Sequence, residues 1–152
     1  MTNGVFEKHF EAGWRDVDPN GHVANTAYLE YAVDTRVAFF DSCGFPPQNF
    51  LLQGFGPVIK SDHVDYFREV LMLEKLTVTM ENGGFSEDGS RFRVINNIYK
   101  PDRILAARVI SIGGWLGLEE RKLVEPPATI ITAWRSLTKT EDFEVLNSSI
   151  KK

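Results

Sequence analysis

The stretch Trp14–Arg36, WRDVDPNGHVANTAYLEYAVDTR, decides how this chain of 152 residues is organised. It opens on a turn, because Asp18-Pro19-Asn20-Gly21 carries Asp first, Pro second and Gly last, the order a type I turn prefers. From Thr26 the pattern reads as a helix, with Asn25 or Thr26 as its N-cap, running to about Cys43. Gly44 can then supply a left-handed terminal residue, and Pro46-Pro47 prevent continuation. At about 1.5 Å per residue this is a rod roughly 25 Å long. Glu30, Asp34 and Asp41 fall on one narrow stripe, while Tyr28, Leu29, Tyr31, Ala32, Val33, Ala38, Phe39 and Phe40 cover most of the rest. A helix apolar over so much of its circumference is enclosed on several sides.

The flanking sequence supplies what encloses it. Val5 to Trp14 alternates, with Phe6, Phe10 and Trp14 on one face and Glu7, His9 and Glu11 on the other, which is a strand. Phe45 to Gly56 reads as a connecting loop rich in Pro, Gly and aromatics. Strands are predicted over Val58–Phe67, Leu71–Met80, Arg91–Tyr99 and Ile104–Leu118, separated by the turn residues Asn82-Gly83-Gly84, Glu87-Asp88-Gly89 and Lys100-Pro101-Asp102-Arg103. Gly113-Gly114 marks a bulge or bend in the last of these. A short helix follows Pro126-Pro127 to about Leu137, and residues 138–152 read as a loosely ordered tail. Strands joined by short turns pair antiparallel. The expected architecture is α+β: one domain over 1–152, an antiparallel sheet of about five strands wrapped around one long central helix.

Composition narrows the function. With 43% apolar and 25% charged residues the chain is an ordinary globular protein, and its net charge of −4 argues against nucleic acid as a partner. The single cysteine, Cys43, excludes an internal disulfide and fits a reducing, cytoplasmic setting. No apolar run approaches the roughly 18 residues of a membrane span, and MTNGVFEKHF lacks the character of a signal peptide. No spacing of His, Asp and Glu suggests a bound metal. His9 and His63 lie on strand-like segments without partners in the sequence and are taken as structural.

The order of elements, with DVDPNGHVAN leading directly into the helix, resembles the hotdog-fold thioesterases of the 4-hydroxybenzoyl-CoA thioesterase family. The resemblance runs from about Phe6 to Pro126 and is sharpest at Asp18-x-x-Gly21-His22-Val23-x-Asn25 followed by Tyr28-Leu29. It implies hydrolysis of acyl-CoA thioesters, with Asp18 as the catalytic carboxylate and the backbone N–H near Asn25 polarising the thioester carbonyl. The run Asp18, Asn20, His22 is also similar to that of plant acyl-ACP thioesterases. One departure is Ala24, where many relatives carry Asn. The resemblance further implies that Ser90 and Arg91 stand at a phosphate-contacting position, with no cofactor beyond the coenzyme A of the substrate. It also implies pairing of sheet edges into a homodimer or homotetramer.

The chemistry is sensible apart from the family. Thioester hydrolysis develops negative charge on the carbonyl oxygen and needs an activated water or a carboxylate nucleophile. A helix start offers unpaired N–H groups to that oxygen, and a carboxylate on the preceding turn can act from the other side. His22 can orient water or protonate the departing thiolate. Read alone, Asp18 is a turn residue, Asn20 a turn former and Asn25 a cap. Arg93 shares a face with Arg91, and Arg103 and Arg108 are further cationic candidates. The acyl group is expected along the helix, against Tyr28, Ala32 and Phe55. Acyl-ACP hydrolysis, a hotdog hydratase or dehydratase, and an acyl-binding protein are the alternatives. The hydratase pattern Asp-x-Asn-Pro-x-His is absent, since Pro19 directly follows Asp18.

Overall fold

The computed structural model describes residues 4–150. Strand β1 (Phe6–Glu11) leads through a short 3-10 turn at Trp14–Asp16 to helix α1 (Asn25–Ser42), and α2 (Gln48–Gln53) follows. Three long strands come next, β2 (Phe55–Tyr66), β3 (Lys75–Ser86) and β4 (Arg91–Lys100), then β5 (Ile104–Gly117), helix α3 (Ala128–Ser136) and β6 (Lys139–Leu146). The sheet order is β1-β3-β4-β5-β2, antiparallel throughout, with β6 added parallel to the far half of β3. This is the expected α+β arrangement of a sheet folded over one long helix, with six strands in place of about five.

Helix α1 buries Ala27, Tyr28, Tyr31, Ala32, Thr35, Phe39 and Phe40 against the concave face of the sheet. Its first half packs small and aliphatic groups, Ala27 and Ala32 against Val78, Ile98 and Val109. Its second half packs aromatic ones. Phe40 stacks on Trp134 at 6.0 Å between centroids and meets Trp115 edge-on at the same distance. Helix α3 delivers Trp134, and with it Ile130, into this cluster. At about 1.5–3 kcal/mol for each large side chain removed from water, this burial is the main force holding α1 in the sheet. The enclosure is incomplete, because Val33 and Val37 remain 42% and 44% exposed on the face of α1 turned away from the core.

Several boundaries differ from the sequence reading. The segment expected as a tail from Thr138 instead forms β6, whose Lys139 aligns with Asn82 and whose Val145 aligns with Phe85. Its Lys, Glu and Thr side chains suit an edge strand with one wet face, a composition that also reads as a tail. The loop Phe45–Gly56 contains α2, and Phe55 already belongs to β2. Strand β3 begins four residues later than expected and runs on through Asn82-Gly83-Gly84. There the ladder slips by one residue instead of turning, and a Cβ at Gly83 would collide with Ile95. The bulge expected at Gly113-Gly114 lies in the partner strand: Lys60 is the extra residue of β2, opposite Gly113. Gly113 is required because a Cβ there would strike the Val58 carbonyl. Among the described residues β2 pairs with β5 along one edge only, so a twelve-residue strand presents an open ladder.

Candidate active site

The turn before α1 is built by its own backbone. The Gly21 N–H donates to the Asp18 carbonyl at 3.0 Å, and the Asn20 N–H donates to Asp18 Oδ1 at 2.9 Å. Gly21 has φ of +84°, which glycine adopts without the Cβ penalty. The Asp18 N–H donates to the His22 carbonyl, and Val17 bridges to Val23, which closes the loop. Asp18 is half-buried, and the Asn20 bond engages one oxygen of its carboxylate.

The chain then enters α1 under tight control. Val23 donates its N–H to the Val70 carbonyl and Ala24 donates to the Asp16 carbonyl, both at 2.7 Å. Ala24, with φ −67° and ψ 149°, is the N-cap, so Asn25 is the first helical residue and not the cap. Alanine has no side-chain acceptor, so no side chain caps the helix start. Ala27 donates its N–H to the Ala24 carbonyl at 3.0 Å, so the Asn25 and Thr26 N–H groups are the ones left for a ligand at the positive end of the helix dipole.

A cavity of about 310 Å³ opens here, lined by His22, Asn25, Tyr28, Tyr66, Arg68 and Glu69 among others. The His22 Nδ1–H donates to the Val23 carbonyl at 3.1 Å, since a carbonyl can only accept. In the neutral ring Nε2 then carries the lone pair. The Tyr66 hydroxyl donates to the Asn25 carbonyl at 3.1 Å, and its ring meets Tyr28 edge-on at 5.3 Å. Burial raises the Tyr28 hydroxyl above its ordinary pKa, and the nearby Tyr66, Glu74 and Asp18 add to the shift. Tyr28 is thus a neutral hydrogen-bond donor at neutral pH, within the field of Asp18. Of the four residues expected at the centre, His22 and Asn25 line this cavity. Asp18 and Asn20 form the turn behind it and do not line it. Arg68 and Glu69 escaped the sequence reading, because only the fold of the sheet brings them back to α1.

The expected cationic residues lie elsewhere in the chain. Ser90 is fully buried, donating to Asp88 Oδ1 at 2.7 Å and accepting the Ser149 N–H at 2.8 Å. Burial would raise the Asp88 carboxyl, but hydroxyls of Ser148, Ser90 and Ser86 more than offset it and hold it below the usual carboxylate range. Arg91 Nε donates to Ser149 Oγ at 3.3 Å, and Arg91 lines a separate cavity of about 330 Å³ with Lys60 and Ser149. Arg93 is held by its own chain, at 3.1 Å from the Gly83 carbonyl and 3.2 Å from Asp142. Arg103 pairs with Glu7, and Arg108 donates to Asn97. His63 lies 3.2 Å from Asp65 on the exposed surface, and His9 meets Thr77. Among the described residues no group of His, Cys, Asp and Glu is arranged to hold a metal ion, and no helix is long and apolar enough to cross a membrane.

Arg36 is the other residue that the sequence did not single out. It is the one basic side chain of α1 and lies mostly buried, its Nε donating to Asn96 Oδ1 at 2.9 Å and its Nη2 to Ser111 Oγ at 2.7 Å. Asn96 continues to the Thr79 carbonyl, and Ser111 donates to Asp62 on β2. Burial lowers the guanidinium to about 10, opposed by Asp62, so it remains a cation at neutral pH. A lone arginine on an otherwise apolar and acidic helix was the available signal.

A sequence profile of the thioesterase-like superfamily matches residues 12–134. No curated protein matches the sequence. Among solved structures, a 1,4-dihydroxy-2-naphthoyl-CoA thioesterase from Synechocystis superposes with a TM-score of 0.78 at 21% identity, covering 86% of this chain and 96% of that one. A Staphylococcus aureus protein solved in complex with CoA gives 0.77 at 18%, covering 88% and 85%. A DHNA-CoA thioesterase from Staphylococcus aureus gives 0.73 at 17%, covering 80% of each chain. At these identities the likeness establishes the shared hotdog fold.

Supplying the missing cap tests the geometry of the helix start. Ala24→Asn should raise the unfolding free energy by about 1 kcal/mol in urea denaturation, because an acceptor then meets the open N–H groups. No gain would mean that those groups already have partners.

Proposed function

The chain belongs to the thioesterase-like superfamily and is a thioester hydrolase, and from that premise we propose that it cleaves acyl-CoA thioesters at the junction of turn 18–21 and helix α1. The observation that carries this reading is the uncapped start of α1, opening on a cavity that His22 and Tyr28 also line, with Asp18 in the turn that leads into the helix.

In this reading the thioester carbonyl oxygen faces the Asn25 N–H. Asp18 takes a proton from water as that water adds to the carbonyl carbon, or its carboxylate adds directly. The Asn20 N–H orients one carboxylate oxygen and leaves the other for this task. Negative charge then gathers on the oxygen nearest the helix start, where fixed dipoles stabilise it without reorganising. Collapse of the intermediate breaks the C–S bond and the thiolate takes up a proton; the water route leaves free acid and coenzyme A directly, whereas the direct route leaves an acyl–Asp18 anhydride that water then hydrolyses to the free acid. His22, with Nε2 directed away from its bond to Val23, orients water or passes that proton.

Support for coenzyme A comes from two sides. The Synechocystis and Staphylococcus aureus neighbours carry CoA in their names or crystals. Here Lys60, Arg91 and Ser149 are the polar members of an otherwise apolar cavity, and their donors can meet phosphate oxygens. Arg91 is assigned to a coenzyme A phosphate, with Ser90 beneath it, serving the Asp18 site of an opposite subunit. Arg93 makes a weaker candidate because its own chain holds it at two points. The open edge of β2 supports a homodimer, and paired dimers would form a tetramer. An exposed thiol at Cys43 accords with a cytoplasmic setting.

Three measurements check these assignments. Asp18→Asn keeps the turn and should lower kcat on acyl-CoA by at least ~10²-fold with melting temperature unchanged; undiminished turnover would remove Asp18 from the mechanism. Arg91→Ala should raise KM for acyl-CoA with kcat nearly constant, and should leave a short thioester without the nucleotide unaffected. Equal losses on both substrates would make Arg91 structural. In sedimentation the protein should run as a dimer or tetramer, and a stable monomer at micromolar concentration would contradict the assembly.

A further inference from the structure

A second cavity, of about 220 Å³, lies farther along α1, between the exposed face of that helix and β2. Its walls include Val33, Val37, Phe40, Ile59, Trp115 and Trp134, and Arg36 is the one charged side chain among them. One feature of this otherwise apolar space calls for an acceptor. A guanidinium carries five N–H donors, and the bonds to Asn96 and Ser111 engage two of them, which leaves three. An oxygen brought to a donor without a partner is favoured. Asp62 acts on Arg36 through its charge and is linked to it through Ser111, while Arg36 itself lines the cavity.

The same two elements wall both cavities. Tyr28 of α1 and Tyr66 of β2 meet beside the helix start, while Val33 and Val37 of α1 face Ile59 of β2 in the second cavity. From Asn25 to Arg36 is 36 − 25 = 11 residues, which at about 1.5 Å each is roughly 17 Å. A single ring held at the helix start does not span that distance, whereas an extended chain does.

Resting on the thioester reading above, we infer that this cavity receives the far end of the acyl group, and that the substrate is an extended acyl chain carrying an oxygen acceptor, foremost a carboxylate, at its distal end. The methylene part lies against Val33, Val37 and Ile59, and the terminal oxygen pairs with Arg36. Arg36 is then a specificity residue that touches substrate far from the reacting bond.

Trp115 and Trp134 line the cavity and report on its contents, once the exposed Trp14 is removed by Trp14→Phe. Dodecanoic acid, whose carboxylate can itself pair with Arg36, should change their emission on binding. Arg36→Met should weaken that binding by about ten-fold or more. An unchanged emission, as when a second copy of the chain covers the cavity, would overturn the proposal, and so would equal affinity in Arg36→Met. The second arm needs no variant at Arg36. The wild-type protein should hydrolyse the CoA thioester of dodecanedioic acid with kcat/KM about ten-fold or more above that of dodecanoyl-CoA, and equal values would overturn the substrate class. If the free acid binds through Arg36 but neither thioester is cleaved, the cavity assignment stands and the hydrolytic reading falls.

Discussion

Two backbone hydrogen bonds of 2.7 Å, from Val23 to Val70 and from Ala24 to Asp16, fix where α1 begins. The segment around Val70 joins β2 to β3, and Asp16 ends the turn after β1, so three parts of the chain meet at one point. The direction of the first helical N–H groups is therefore set before any substrate arrives. Alanine at the cap position matters for the same reason: the sheet, and not a side chain, positions the helix start, and the N–H groups stay available. Stability forgone at the cap is offset by apolar burial along the rest of α1, where single large side chains each contribute more than a cap does.

That burial divides the helix into two unlike halves. Small and aliphatic neighbours around Ala27 and Ala32 let α1 approach the sheet closely near the turn. Phe39, Phe40, Trp115 and Trp134 fill a wider space beyond Arg36. Arg36 sits between the two, tying α1 to β4 and β5 through Asn96 and Ser111. A cation held there by neutral acceptors keeps its charge without a direct ion pair, which is an unusual environment for a buried group.

The long central helix, the turn before it and the antiparallel strands were legible because each has a local cause: a face pattern, an Asp-Pro-Asn-Gly order, or alternation bounded by turn residues. The resemblance, and not spacing alone, pointed to His22 and Asn25, and both line the cavity at the helix start. Strand β6 was not, since Lys139–Leu146 has the composition of a solvated tail and becomes a strand only because β3 continues beyond β1 and offers an edge. The run through Asn82-Gly83-Gly84 misled for a related reason: glycines that signal a turn also permit a bulge, and pairing with β4 decides which. Arg36, Asn96, Ser111 and Asp62 are spread over most of the chain, so no spacing rule could have joined them. Tyr66 reaches Asn25 across 41 positions, and only strand pairing makes them neighbours.

The parallel pairing of β6 with β3 bears on how the chain reaches this structure. Hairpins such as β3–β4 and β4–β5 close over a few residues and form early. The edge that β6 covers, from Asn82 to Ser86, stays bare until residues 139–146 have been synthesised. During that interval Gly84, Phe85 and their unpaired backbone groups are a template for any extended strand nearby. Contacts so distant in sequence also raise the contact order and slow the final step. The polar side chains of Lys139–Leu146 suit a segment that stays solvated until that edge is available to it.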